Sequence, residues 1–262
     1  MKWFVLFLLL ACPVFAEQGH FPESFFQGQL VYVPAKDGDS LTLGDRVLTS
    51  SHGFFVFGIG REVQEPIQIL YNQKTFQIPV KPENWPTDYV DGVPAQTVQP
   101  PAKAQKRIKA ENEKLAKARQ QSSVSALPLC FIWPVEGRIS GPFGYRRVYN
   151  KTIKGSSHSG TDIAAPAGTP IKATADGVVA MAEPDLFYTG GTVLIEHGSG
   201  LFSSYSHMKK LYVKAKDVVK QGDVIGEVGA TGRATGPHVH FVLDWYGVRD
   251  NPEKVLKKSC TP

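Results

Sequence analysis

Short apolar runs set off by turn residues dominate the first third of the chain. Between Phe25 and Val80 the segments "QLVYVPA", "SLTLG", "RVLTS", "GFFVFGIG", "IQILYN" and "TFQIPV" follow one another, punctuated by Gly and Asp clusters such as "KDGDS". Runs of this length, rich in Val, Ile, Phe and Tyr, read as strands. Six of them in succession predict a small β-sandwich, and an N-terminal β domain is expected over residues 17–95.

The pattern then changes twice. "KPENWPTDYVDGVPAQTVQPPAKAQ" is Pro-rich and polar and reads as an extended connector. "AKAQKRIKAENEKLAKARQQ" is built from helix formers, with Ile108 and Leu115 seven apart and Lys or Arg almost everywhere else. So thin an apolar stripe predicts a solvated helical linker, with a basic spacer helix lying on an anionic surface as the alternative, and connector plus helix are assigned to residues 96–128. From Cys130 onward strands and glycine-rich turns return, in "GRISGPFG", "GTPIKATADGVVAMAE", "GGTVLIEHGSGLFSSYSHM" and "QGDVIGEVGATGRATGPHVHFVLDWYG". A second domain, an antiparallel β-sheet, is expected over 129–262, with a tight hairpin at "GSG". The fold class predicted for the whole chain is mainly β.

Near the amino terminus the apolar run changes the picture of where the protein works. "MKWFVLFLLLACPVFAEQ" has one early lysine and an apolar stretch too short to span a bilayer, followed by "VFA" as a cleavage site. Residues 1–16 are expected to be an export signal; lipidation at Cys12 is the alternative, disfavoured by Pro13. No later stretch reads as a transmembrane helix, and the expected location is the periplasm. Removal of Cys12 leaves Cys130 and Cys260, a pair that an oxidising compartment would let close into a disulfide. The formal charge of +5 suits an anionic envelope polymer, but no aromatic-interleaved basic motif for nucleic acid occurs.

Candidate chemistry concentrates in the histidines. In "TGPHVHF" a strand would put His238 and His240 on one face with Val242 and Asp244, and Val239, Phe241 and Leu243 on the opposite, core face. "HSGTD" sets His158 and Asp162 four apart in a glycine-containing segment that disfavours helix. Two such ligands plus a third from a distant strand, His240 or His238, make the donor set of a catalytic zinc site with one open position. No H-E-x-x-H segment is present to supply a glutamate base. In "SSYSHM", Tyr205 and His207 alternate with serines and are expected to look together into the cleft, where His207 and the non-ligating histidine would serve as bases and oxyanion donors. His20 and His52 lack ligand-type neighbours, His197 is expected on a hairpin turn, and all three read as structural.

Taken together, "FGYR", "HSGTDIAAPAGTPIKATADGVV", "GGTVLIEHGSGLFSSYSHM" and "VKQGDVIGEVGATGRATGPHVHF" resemble the lysostaphin and LytM type of zinc metallopeptidases, which cut peptide cross-links of bacterial cell walls. The resemblance covers most of residues 133–255 and implies a LytM-type catalytic domain. It implies one zinc per chain on His158, Asp162 and His240, with His207 and His238 as the catalytic pair. The upstream strands, connector and basic helix resemble Gram-negative envelope members, which implies a D-alanyl–diaminopimelyl cross-link as substrate and an envelope protein as possible partner of the N-terminal domain. Two rival classes remain. A LytM-type activator or scaffold without activity of its own would not need the intact histidine and aspartate set. A lipoyl or biotinyl carrier, suggested by "ADGVVAMA" and "VKQGDVIGEVG", would explain strands but not histidines.

Overall fold

The computed structural model describes residues 21–120, 127–257 and 260. The export signal, Cys12 and His20 lie outside the described residues. Strands dominate, as the alternation predicts.

In the N-terminal block, β1 (Gln29–Pro34), β2 (Ser40–Leu43), β3 (Arg46–Thr49), β4 (Phe54–Ile59), β5 (Ile67–Tyr71) and β6 (Lys74–Ile78) form two antiparallel sheets, β1–β4 and β3–β2–β5–β6. Val31, Val33, Leu41, Phe55, Ile69 and Tyr71 fill the space between them. Next come β7 (Thr87–Val90), α1 (Ala95–Val98) and the long α2 (Ala102–Ala118).

The C-terminal half contributes β8 (Arg138–Gly141), β9 (Arg146–Tyr149), β10 (Ile153–Ser157), β11 (Thr161–Ala164), β12 (Gly177–Leu186), β13 (Gly190–Gly198), β14 (Leu201–Met208), β15 (Val218–Val219), β16 (His238–Trp245) and β17 (Val248–Asp250). Eight of these build one sheet in the order β8–β11–β16–β14–β13–β12–β15, with β17 added along β16. The pairs are antiparallel, and the hairpin between β13 and β14 turns at Ser199 and Gly200, both with positive φ. Cys130 and Cys260 are bridged, with a Cα–Cα distance of 5.8 Å. A crosslink spanning 130 residues removes much unfolded-state entropy, worth on the order of 4–5 kcal/mol in the chain-entropy account.

The halves are not merely tethered. Phe57 of β4 meets Trp245 of β16 edge to face at 6.5 Å, Arg46 lies over the Tyr246 ring at 4.6 Å, and one apolar cluster runs from Phe25 to Leu256. Nor is α2 a solvated linker. Its thin stripe suffices because Ala118 and Leu115 dock on a separate cluster of Met181, Leu186, Leu194 and Phe202. The surrounding cations find acids on the sheet: Arg107 pairs with Asp185 at 3.1 Å, Lys114 with Glu183, and Arg119 with the buried Asp244 at 3.0 Å. What read as a solvated basic face is thus partly an interface.

Candidate active site

The register of the central sheet assembles the site. In the pairing of β11 with β16, Asp162 stands directly opposite His240 and Ala164 opposite His238, so both histidines and the aspartate project from one face. Gly160 makes the approach possible. A Cβ there would collide with the Phe241 carbonyl, which is why "HSGTD" needs a glycine between its two functional residues.

His158 Nε2, Asp162 Oδ1 and His240 Nδ1 converge: the first two are 3.0 Å apart, the two histidine atoms 3.0 Å, and His240 Nδ1 lies 2.7 Å from Asp162 Oδ1. His158 Nδ1 sits 2.8 Å from the Pro142 carbonyl, which only accepts, so Nδ1 carries a proton and Nε2 is the nitrogen that faces the cluster. Burial pushes the His240 pKa down to about 4, which keeps it neutral at pH 7. Burial by itself would raise Asp162, but its contacts with His158 and His240 hold it well below the usual carboxylate range. A buried carboxylate oxygen and two imidazole nitrogens therefore meet at one point. Such a set is unfavourable alone and suited to a divalent cation, whose tetrahedral ligand atoms at about 2.0–2.1 Å lie roughly 3.3 Å apart. The same three residues are the group among the described residues able to hold a metal ion.

Arg147 stands behind this cluster. Its Nη2 donates to Asp162 Oδ2 at 2.9 Å, leaving Oδ1 for the cluster, and its Nε pairs with Asp88 Oδ2 of β7 at 3.2 Å.

His207 reaches the cleft by a different route from the one the alternation predicts. Tyr205, opposite Phe241, points into the core, where its hydroxyl accepts from the Thr174 N–H at 2.8 Å and is fully buried. Continued alternation would send His207 the same way. Instead β14 carries one extra residue against β13, since Met208 pairs with Gly191 but Tyr205 with Val193, and His207 adopts φ 64°. This bulge turns the imidazole back to the cleft and separates it from Tyr205, contrary to the shared face expected for the two. Gly229 permits the geometry, because a Cβ there would strike the His207 carbonyl and the Lys209 N–H.

His207 Nδ1 donates to the Thr231 carbonyl at 2.7 Å, and His238 Nδ1 to the Gly236 carbonyl at 2.8 Å. Each is left with a free Nε2. The two rings lie 4.6 Å apart, and His238 Nε2 is 3.8 Å from Asp162 Oδ1. Burial, followed by the neighbouring His238 and His240, lowers the His207 pKa to about 3, so it too is neutral at pH 7. By contrast His197 is fully buried on β13, away from this group, with Nδ1 donating to the Asp176 carbonyl at 2.7 Å and Nε2 accepting from Ser203 at 2.7 Å. His52 is on the N-terminal block beside Ser51.

A cleft of about 500 Å³ contains all five residues, and the connector forms one of its walls. β7 pairs in parallel with β9, and beyond it Val93 is clamped by Asn150. The loop "YNKTIKGSS" ahead of His158 is thus a contact point for the connector. Arg147, Thr231 and the cleft-lining Arg233 were not singled out from sequence; Arg147 lies one residue past "FGYR", and nothing in the pattern marked it.

A site of converging metal-type donors beside two free imidazoles, on an antiparallel sheet, joins a group that could hold a metal ion to groups able to move a proton. Residues 156–252 match the model of peptidase family M23. Over those residues the chain carries a domain of this family. It is 42% identical over 118 residues to the peptidoglycan DD-endopeptidase ShyC of Vibrio cholerae, a match taking in 45% of this chain and 27% of that protein. The chain thus spans about a quarter of the length of these curated relatives. The catalytic domain of the prophage-encoded M23 protein EnpA from Enterococcus faecalis is 32% identical, with 50% of this chain and 95% of that one covered and a TM-score of 0.39. A putative M23 peptidase from Pseudomonas aeruginosa is 28% identical with a TM-score of 0.67. That match covers 89% of this chain and 96% of the other, so the likeness extends over the N-terminal strands.

Proposed function

We propose that the protein is an exported, periplasmic zinc endopeptidase that hydrolyses peptide cross-links of peptidoglycan, at D-alanyl–diaminopimelyl bonds. The observation that carries this reading is the presence of two imidazoles outside the donor cluster, His207 and His238, beside His158, Asp162 and His240. An activator without activity would have no use for that pair. Relatives named peptidoglycan DD-endopeptidases support the substrate class.

His158, Asp162 and His240 would hold one zinc per chain. When bound, zinc supplies Lewis acidity, polarising the scissile carbonyl and acidifying water. The protein's own part is proton transfer. The carbonyls of Thr231 and Gly236 fix the tautomers so that Nε2 of His207 and His238 can each accept a proton. One imidazole takes a proton from the attacking water; as imidazolium it donates to the oxyanion and then to the leaving amine as the C–N bond breaks. The second imidazole, its Nδ1 likewise held by a backbone carbonyl, offers another Nε2 acceptor for that proton. Arg147 holds Asp162 so that one carboxylate oxygen faces the cluster.

The connector supports a further element of this reading: with Val93 clamped and β7 paired to β9, it closes one side of the cleft, and substrate entry would require it to move. The test of the function is incubation of purified cross-linked muropeptides with the protein, followed by mass spectrometry. Dimers should give monomers with the gain of one water, cut at the D-alanyl–diaminopimelyl amide; intact dimers would refute the assignment.

A further inference from the structure

Arg233 lies in the same cleft, five residues before His238 in "GRATGPH". Its guanidinium carbon lies over two aromatic rings, 5.1 Å from the Tyr149 centroid and 4.7 Å from that of Tyr188. Its backbone N–H donates to the Tyr188 carbonyl at 2.8 Å, so both main chain and side chain are fixed. With two rings packed against it, the guanidinium has its forked N–H edge to meet a partner.

That edge is poorly used. Its hydrogen bond goes to the Thr97 carbonyl of the connector at 3.5 Å, the outer limit for such a bond, and among the described residues no carboxylate forms an ion pair with it. The other cleft arginine, Arg147, is engaged by both Asp88 and Asp162. A rigid, partly buried guanidinium without a carboxylate partner, lining the same cleft as the histidine pair, suits a ligand carboxylate taken in bidentate fashion.

We infer that Arg233 binds a free carboxylate of the substrate, the one borne by the carbon that carries the scissile nitrogen. This rests on the endopeptidase reading above and extends it to specificity. In a D-alanyl–diaminopimelyl link, the amine-side residue keeps such a carboxylate next to the bond that breaks. A glycine bridge has none there, because each internal glycine carboxyl is already an amide. Arg233 therefore selects for cross-links with an anion at that position, and the Thr97 carbonyl holds its place until substrate displaces the connector.

The test uses the zinc-loaded full chain and a cleavage product: a diaminopimelyl peptide with its amine-side α-carboxylate free, and the same peptide with that carboxylate amidated. Titration calorimetry should find the free acid bound about 10- to 100-fold more tightly by the unaltered protein, the worth of a charge-assisted hydrogen-bonded pair. Arg233→Gln should abolish this preference while leaving affinity for the amide unchanged. Arg233→Lys, which keeps the charge but not the fork, should retain part of it. Equal binding of acid and amide by the unaltered protein, or the same preference in Arg233→Gln, would overturn the assignment. So would equal loss for both ligands in Arg233→Gln, the behaviour of a residue that only fastens the connector. Cleavage of the two cross-linked dimers run alongside separates the claims: an intact carboxylate preference without cleavage would contradict the endopeptidase reading and leave the role of Arg233 standing.

Discussion

The Asn150 side chain brackets the main chain of Val93, accepting from its N–H at 3.1 Å and donating to its carbonyl at 2.9 Å. One residue of the hairpin before His158 thereby holds the connector against the cleft. Asn150 has φ 48°, so Asn150→Gly keeps the backbone conformation while deleting both hydrogen bonds. Two such bonds are worth about 1–3 kcal/mol, and releasing them should raise kcat/KM on soluble muropeptides about fivefold or more. An unchanged or reduced rate would make the connector part of the substrate site rather than its cover.

Metal affinity should depend on a residue that never touches the metal. Asp162→Ala should lose most of the bound zinc. Arg147→Met, which frees Asp162 Oδ2 and leaves the carboxylate to rotate, should weaken zinc about 10- to 100-fold, in line with other outer-shell partners. Competition with a chromophoric chelator measures both, and full-affinity binding by Asp162→Ala would remove it from the ligand set.

The two free imidazoles should separate chemistry from metal binding. His207→Ala and His238→Ala are expected to keep close to one zinc per chain and to lose about a hundredfold or more in kcat, the usual worth of acid-base and oxyanion contributions. Metal analysis and muropeptide turnover on the same preparation decide it. Normal turnover by either variant would withdraw its assigned role.

Asp250 predicts an unusual pH dependence of stability. It is fully buried beside Gly58, and burial, with the charge of Asp244 adding to it, pushes its carboxyl well above the usual range. The unfolded chain loses this proton near pH 4 while the folded chain retains it, so the folded state binds more protons above that pH. Stability contributed by the protonated form is therefore lost as pH rises from about 4 towards the folded pKa, by up to about 1.4 kcal/mol per unit. Asp250→Asn should flatten that fall. Denaturant titrations of both proteins across pH 4–8 should diverge, and parallel curves would contradict the shift.

Much of this site was legible in one dimension because its parts lie on regular strands. Period-two alternation correctly put His238 and His240 on the face opposite Val239 and Phe241, and the separation of His158 from Asp162 was interpretable once the glycine ruled out a helix. Alternation failed at His207, where a bulge inserts one residue and reverses the facing of everything after it; no single residue type announces such a bulge. It also failed for α2, whose docking depends on acids at Glu183, Asp185 and Asp244, far off in sequence and invisible to a helical wheel. Arg147 and Arg233 escaped notice for the same reason: their meaning lies in Asp88, Tyr149 and Tyr188, brought to them only by the fold.

The central claim is that one cleft couples a metal held by His158, Asp162 and His240 to hydrolysis of a wall cross-link. Its most direct test is a mass-spectrometric digest of purified D-alanyl–diaminopimelyl dimers by the untreated protein, the chelated protein, the chelated protein given zinc, and Asp162→Ala. The untreated and zinc-restored samples should convert dimer to monomer with the uptake of one water, while the chelated protein and Asp162→Ala leave dimer intact. Undiminished cleavage after chelation, or by Asp162→Ala, would contradict the claim.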